Sequence, residues 1–178
     1  NTVYQLASLA ENRPALLERA DALLLTPDLF HYFLTGVKGA EYTIASTTQM
    51  LDAGRRDWSD EVLGALGLPR RLLQPVLPSG TVLGPIEPRL RAALNLPAAP
   101  VIAVATHDTQ SAVAAVPAVD DDFLFLSCGT WSLLGTELPE PLLGEEALAC
   151  NLTNEGGVGG RITFLKNIIG LWLIQESR

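Results

Sequence analysis

The stretch VIAVATHDTQSAVAAVP, residues 101–117, decides the reading of the chain. Its first five residues, 101–105, form a continuous run of small apolar side chains, the pattern of a strand buried on both faces in a parallel sheet. Thr106, His107, Asp108 and Thr109 follow as a polar turn. Residues 111–116 then read as a short apolar helix stopped by Pro117. Strand, polar turn and helix in that order form an α/β unit, and open α/β sheets collect ligands at the carboxyl ends of their strands.

Upstream of this unit the signals are helical. Apolar residues recur at helical spacing over 14–33, and Thr26-Pro27-Asp28 sets a cap, a first-turn proline and an acid in succession. Two successive helices are therefore expected, the second over 28–34 and closed by Gly36, since glycine takes the left-handed conformation that ends helices. Further short helices are expected over 46–52 and 59–66, the latter opened by Ser59. Seven prolines (69, 75, 78, 85, 88, 97 and 100) crowd the next segment, which reads as a winding connector with one helix over 88–94.

Downstream, Asp120-Asp121-Asp122 is a charged turn and the candidate boundary between two domains. Residues 123–127 and 131–137 are β-type runs joined by a tight hairpin at Cys128-Gly129-Thr130. A glycine-rich turn at 156–160 leads into a strand over 161–165, with a helix expected from about Ile168 onward.

The chain has 178 residues, of which 48% are hydrophobic and 18% charged, a balance that excludes intrinsic disorder. Residues 1–100 carry 9 Lys and Arg against 10 Asp and Glu, while 101–178 carry 3 against 10, so nearly all of the net −8 lies in the second part. With no basic cluster, nucleic acid and anionic membranes are poor partners; small substrates fit better. No run approaches the ~20 apolar residues of a membrane span, and no secretory layout opens the chain. The two cysteines, Cys128 and Cys150, have neither CxxC nor metal-ligand spacing, which favours a reduced, cytoplasmic setting; pairing between them is left open. The sequence starts without Met and stops inside an expected helix, as an internal fragment would.

Several residues have the chemistry of a site. A carboxylate such as Asp108, at the carboxyl end of a strand, can accept a proton from a substrate hydroxyl; it can equally cap the helix that follows. His107 suits a ligand contact or an ordinary core hydrogen bond. At the hairpin tip, Gly129 and Thr130 can bring backbone N–H groups and a hydroxyl to phosphate oxygens, or form a plain turn. The glycine-rich stretch 154–160 matches neither a Walker nor a dinucleotide-binding spacing. Asn167 stands where the strand is expected to give way to the helix, so it can reach a ligand or cap that helix. Gln175, two turns along, can face a nucleotide or solvent.

Taken together, THDTQSAVAAVP (106–117), SCGTWSL (127–133), NLTNEGG (151–157) and LKNIIGLWL (165–173), with PDLFHYFLTG (27–36), EYTIASTTQ (41–49) and PSGT (78–81) upstream, resemble the FGGY carbohydrate kinase family over nearly the whole chain. The resemblance implies an α/β, actin-like ATPase (ribonuclease H-like) fold. Residues 1–119 would end a sugar-binding first domain and 120–178 would begin an ATP-binding second domain. It implies phosphoryl transfer from ATP, with Mg²⁺, to the C1 hydroxyl of a sugar, L-rhamnulose being the expected one. Asp108 would then be the general base; His107, Asp108 and Thr109 with Asn167 would hold the sugar; Thr130 and Gln175 would contact ATP; and no side chain here is assigned to a metal. Thr106, Gln110 and Cys128 depart from the residues usual in the family. Its amino-terminal phosphate loop and adenine-binding segment lie outside these residues, so the chain alone is expected to be inactive. Another ketose or polyol kinase of the xylulose or fuculose type, or a non-catalytic actin-like binding domain, are the alternatives. A His-Asp hydrolase is disfavoured because no GxSxG elbow is present.

Overall fold

A computed structural model describes residues 1–177; Arg178, the end of the expected final helix, lies outside them. Helices α1 (Thr2–Asn12) and α2 (Pro14–Arg19) lead into α3 (Thr26–Thr35), which has proline in its first turn and Gly36 closing it at φ 73°. The capping position falls on Leu25 rather than Thr26, without a side-chain hydrogen bond. A two-residue strand β1 (Ala40–Glu41) opens directly into α4 (Tyr42–Ser46).

The helix expected over 46–52 therefore lies earlier in the chain. Its stop is local: Ser46, Thr47 and Thr48 each donate a hydroxyl to the carbonyl three residues back, which competes with helix continuation. The chain then turns through Gln49 at φ 62°. Strands β2 (Leu51–Asp52) and β3 (Asp57–Trp58) pair as a small antiparallel ribbon. Helix α5 (Asp60–Ala65) follows with Ser59 as its cap, the Ser59 hydroxyl oxygen accepting from the Val62 N–H at 3.3 Å. One core joins these pieces, with Leu6, Leu17, Met50, Trp58, Leu63 and Leu72 all buried.

The proline-rich connector holds more regular structure than its composition suggests. Strand β4 (Val76–Leu77) lies parallel to β1, β5 (Thr81–Pro85) lies antiparallel to β6 (Pro100–Ala103), and α6 (Pro88–Leu94) falls on the expected residues. The apolar run 101–105 is not buried on both faces among the described residues. Ala103 and Ala105 face inward while Ile102 is 45% and Val104 58% exposed, and the partner of β6 is the antiparallel β5. A run of uniformly apolar residues hides this alternation.

Helix α7 (Asp108–Ala114) begins at Asp108, three residues before the expected start. Then β7 (Phe125–Cys128) and β8 (Trp131–Leu138) form the expected hairpin, α8 (Glu145–Ala149) covers a turn, and β9 (Thr153–Gly156) and β10 (Ile162–Ile169) complete an antiparallel sheet of order β7-β8-β10-β9. Strand β10 continues to Ile169 because β8 offers it an unbroken ladder as far as Trp131. Lys166 and Asn167 are therefore mid-strand, opposite Leu134 and Leu133, and Asn167 caps no helix. The last helix is a single turn, α9 (Trp172–Gln175). Cys128 and Cys150 are both exposed and free, and among the described residues no helix is long and apolar enough to cross a membrane.

Two kinds of contact fit this sheet to the rest. Val113 of α7 packs with Phe125 and Leu165 in a second small core. At the other edge Gly156 lies under the Tyr42 ring, and its N–H donates to the Ser46 hydroxyl at 2.8 Å.

Candidate active site

The turn between β6 and α7 is held from two sides. On one side stands Glu41, fully buried at the β1–α4 junction. Its Oε2 accepts from the Thr106 N–H at 3.1 Å and the Thr106 hydroxyl at 2.9 Å, as well as from Thr43 and the Ile44 N–H; Oε1 accepts from Ser79 at 2.6 Å. Burial by itself would raise the Glu41 pKa, but the hydroxyls of Ser79 and Thr43 and the Thr106 N–H hold it below the usual glutamate value. Thr43 also accepts from the His107 N–H at 3.1 Å. Beside Glu41, the buried Asp28 accepts from the Glu41 N–H at 3.0 Å through Oδ1, while its Oδ2 has no partner among the described residues. Burial pushes Asp28 up to about 6.

On the other side stands Glu155 of β9. His107 Nε2 and Gln110 Nε2 both lie 3.1 Å from Glu155 Oε2, and Gln110 Oε1 accepts from the Thr163 hydroxyl. Gln110 is 1% exposed and Thr163 0%, so the Gln110–Thr163 end of this chain of bonds is buried, while His107 and Glu155 keep part of their side chains at the surface. Burial draws the His107 pKa down, yet the hydrogen bond and charge of Glu155, followed by those of Asp108, outweigh it and leave the imidazole above its usual value.

Asp108 itself is free of these restraints. Its side chain is fully exposed, 3.4 Å from His107 Nδ1, and its one hydrogen bond is accepted from the adjacent Thr109 N–H at 2.7 Å. The capping position of α7 belongs to His107, which makes no side-chain cap bond. The structure thus offers a bare carboxylate in the first turn of a helix, on a turn whose other residues are fixed. A carboxylate so exposed can accept a proton from a hydroxyl brought to it.

A second set of residues gathers at the β7–β8 hairpin tip. The Gly129 N–H is already spent on Trp131 O at 2.8 Å, so it is not offered to a phosphate. The exposed Thr130 has neither its N–H nor its hydroxyl bonded among the described residues. The chain before and within α9 is strapped to this tip, the Leu171 N–H donating to Gly129 O at 2.9 Å and the Trp172 N–H to Thr130 O at 3.3 Å. Thr130, Trp131, Ile169 and Trp172 line a groove of about 390 Å³. A free amide and hydroxyl beside two aromatic planes suit a phosphate with a ring attached, as in a nucleotide.

Gln175 ends α9, exposed. Asn167 lies exposed on β10, in the same ladder as the Trp131–Ile169 pair, and shares no hydrogen bond with His107, Asp108 or Thr109 among the described residues. Thr109 is half-buried beside Asp108. No group of three or more His, Cys, Asp or Glu side chains converges on a metal position among the described residues. Sequence reasoning missed Glu41, Asp28 and Glu155, and it noted Gln110 only as a departure. For Glu41 a signal exists: a lone acid inside the apolar run 40–45, followed two residues later by a threonine.

Comparison with known proteins adds a family. The model of the FGGY carbohydrate kinase amino-terminal domain matches residues 1–115, and that of the carboxyl-terminal domain matches 124–178. The chain belongs to the FGGY family of carbohydrate kinases. It is 46% identical over 178 residues to a rhamnulokinase of Bacteroides thetaiotaomicron, covering 100% of this chain and 37% of that protein. Against a rhamnulokinase of Pectobacterium atrosepticum it is 48% identical over 177 residues, covering 99% of this chain and 34% of that protein. The chain thus spans about a third of the length of these curated relatives.

Solved structures agree on the fold. A ligand-bound xylulose kinase from Lactobacillus acidophilus superposes with a TM-score of 0.85 at 20% identity, covering 99% of this chain and 36% of that one. A Plasmodium falciparum glycerol kinase with ADP gives 0.78 at 13%, covering 98% and 37%. The FGGY chain has the actin-like ATPase fold expected from the sequence.

Proposed function

We propose that the full-length protein carrying this chain is an ATP-dependent sugar kinase that transfers the γ-phosphoryl group of ATP to the C1 hydroxyl of L-rhamnulose, giving L-rhamnulose 1-phosphate. The observation that carries this reading is the identity of 46–48%, along the whole chain, to proteins named rhamnulokinase. In this reading residues 1–119 belong to the sugar-binding part and 120–178 to the ATP-binding part, with the acidic turn at 120–122 between them. A cytoplasmic location goes with it.

Phosphoryl transfer needs positioning and charge neutralisation more than covalent help. Asp108 takes the proton from the sugar hydroxyl as that oxygen bonds to phosphorus and the bond to ADP breaks. His107 and Thr109 flank the carboxylate and bind neighbouring sugar oxygens, with Asn167 as a further sugar contact. The Thr130 N–H and hydroxyl donate to phosphate oxygens, and Gln175 contacts the nucleotide. Bound Mg²⁺-ATP supplies the phosphoryl group and the cation that neutralises it.

A coupled ADP-release assay on the full-length protein, run with L-rhamnulose, L-fuculose and D-xylulose, tests the sugar. The expected result is the highest kcat/KM for L-rhamnulose; preference for another ketose overturns that assignment, and no turnover on any sugar overturns the kinase reading. Asp108→Asn is expected to lower kcat by about 10²–10⁴-fold with an unchanged melting temperature. An unchanged rate would reduce Asp108 to a helix-terminus residue.

A further inference from the structure

Glu155 has no role in the scheme above, yet among the described residues it is the one carboxylate that reaches the His107–Asp108 turn from the antiparallel sheet. Its bonds fix the orientation of two neighbours whose orientation would otherwise be ambiguous. A carboxylate can only accept. Gln110 must therefore turn its NH₂ toward Glu155, which leaves Oε1 for the Thr163 hydroxyl, the arrangement observed. By the same logic His107 must carry a proton on Nε2, so the atom turned toward Asp108 is Nδ1. Thr163 is also the ladder partner of Glu155, so Glu155, Gln110 and Thr163 close a ring joining β9, β10 and α7.

We propose that Glu155 is a positioning residue for the His107–Asp108 pair, holding the His107 ring by its Nε2–H so that Nδ1 stands beside the Asp108 carboxylate and the incoming sugar. This rests on the kinase reading for its functional half alone; the bond and its tautomer do not. The titratable groups facing the ring are Glu155 from β9 and Asp108 from α7. From helix α4 the Thr43 hydroxyl meets the backbone N–H of His107 and not its ring, and Glu41 beside it is occupied by Thr106, Ser79 and Thr43. With a carboxylate at each end of the ring, the protonated imidazolium is favoured, which makes Nδ1–H a donor available to a sugar oxygen. Glu155→Gln keeps the size and an acceptor oxygen but removes the charge.

The experiment uses the full-length protein with ¹⁵N-labelled histidine. In the wild type, long-range ¹H–¹⁵N spectra are expected to show His107 protonated on Nε2 throughout its titration; an Nδ1–H neutral tautomer overturns the proposal without any variant. In Glu155→Gln the His107 pKa is expected to fall by about one unit, kcat by about tenfold or more, and the KM for ATP to stay within about twofold. Glu155→Asp, which restores the charge, is expected to recover the His107 pKa and part of kcat. Unchanged kcat and sugar KM in Glu155→Gln, in a protein whose Asp108→Asn variant is inactive, overturns the positioning role. If no sugar is phosphorylated by the wild type, the kinase reading fails, while the ¹⁵N spectra still decide whether Glu155 sets the tautomer.

Discussion

Glu41 and Thr106 lie 65 residues apart in the chain and share a single oxygen, Glu41 Oε2, which accepts both the N–H and the hydroxyl of Thr106. One buried carboxylate thereby fixes where β6 ends and where the turn bearing His107 and Asp108 begins.

Replacing that carboxylate is expected to disturb stability and, under the proposed function, turnover of the full-length protein. Glu41→Gln turns an acceptor toward donors on one oxygen only, and its NH₂ meets donor groups on the other. The expected loss is about 1–3 kcal/mol, read by denaturant unfolding, together with lower kcat. The pH sign follows from the depressed pKa of Glu41. Its contribution is present above the unfolded glutamate pKa and disappears as pH falls through the lower, folded value. The wild-type protein should therefore lose stability on acidification more steeply than Glu41→Gln.

Asp28 works in the opposite direction. Its pKa is raised from 3.8 to about 6 by burial, so the folded chain binds the proton more tightly than the unfolded one. No penalty exists below the unfolded value; it grows as pH rises through about 6, to roughly 3 kcal/mol for a two-unit shift. The neighbouring His31 does not remove it, since burial lowers the pKa of that imidazole and leaves it neutral. Asp28→Asn keeps the oxygen that accepts from the Glu41 N–H. It is expected to melt higher than wild type at pH 7.5 and no higher at pH 4; equal melting at both would show that the carboxylate is not penalised.

Gly156 tests the fit between Tyr42 and the sheet. A methyl group there would stand 2.6 Å from Cε1 of Tyr42, far inside contact distance. Gly156→Ala is expected to lose about 1–3 kcal/mol and, under the proposed function, to lower kcat, because Glu155 is the adjacent residue and shifts with it. Tyr42→Leu in the same chain opens the space, and the double variant should be more stable than the two single losses added together.

Gly170 tests the hairpin tip. An added Cβ would lie 2.5 Å from Gly129 O and 2.6 Å from Ser132 Oγ, so Gly170→Ala pushes on the turn that presents Thr130. Under the proposed function it should raise the KM for ATP while leaving the sugar KM within about twofold, as expected of a site built by orientation. Gly64→Ala is the control: beyond its chain neighbours and the backbone of α5 itself, an added Cβ there meets no atom within 4 Å, and it should stabilise the helix by about 0.5–1 kcal/mol.

Local signals that act within a few residues were legible in the sequence. Ser59 as a cap, Gly36 as a stop, Pro88 opening α6 and the tight hairpin at Gly129-Thr130 all follow from backbone chemistry at single positions. Misreadings arose where a partner elsewhere decides. The end of β10 depends on how far β8 extends, which no property of Lys166 or Asn167 reveals. The helix expected over 46–52 was displaced by three consecutive hydroxyls that turn back on their own carbonyls. Within the site, Asp108 and His107 were legible because polar residues at a strand end stand out. Glu155 was not, since its partners lie 48 and 45 residues away, and Glu41 left only the local signal of an acid two residues before a threonine, its bond to Thr106 spanning 65 residues.

The three tryptophans divide into two optical populations. Trp58 is 3% exposed inside the helical core, whereas Trp131 and Trp172 are 64% and 45% exposed on either side of Thr130. Short-wavelength emission therefore belongs to the core and long-wavelength emission to the groove. This chain carries an intrinsic dual reporter: under the proposed function, titrating nucleotide should quench or shift only the red component, and unfolding should move the blue one.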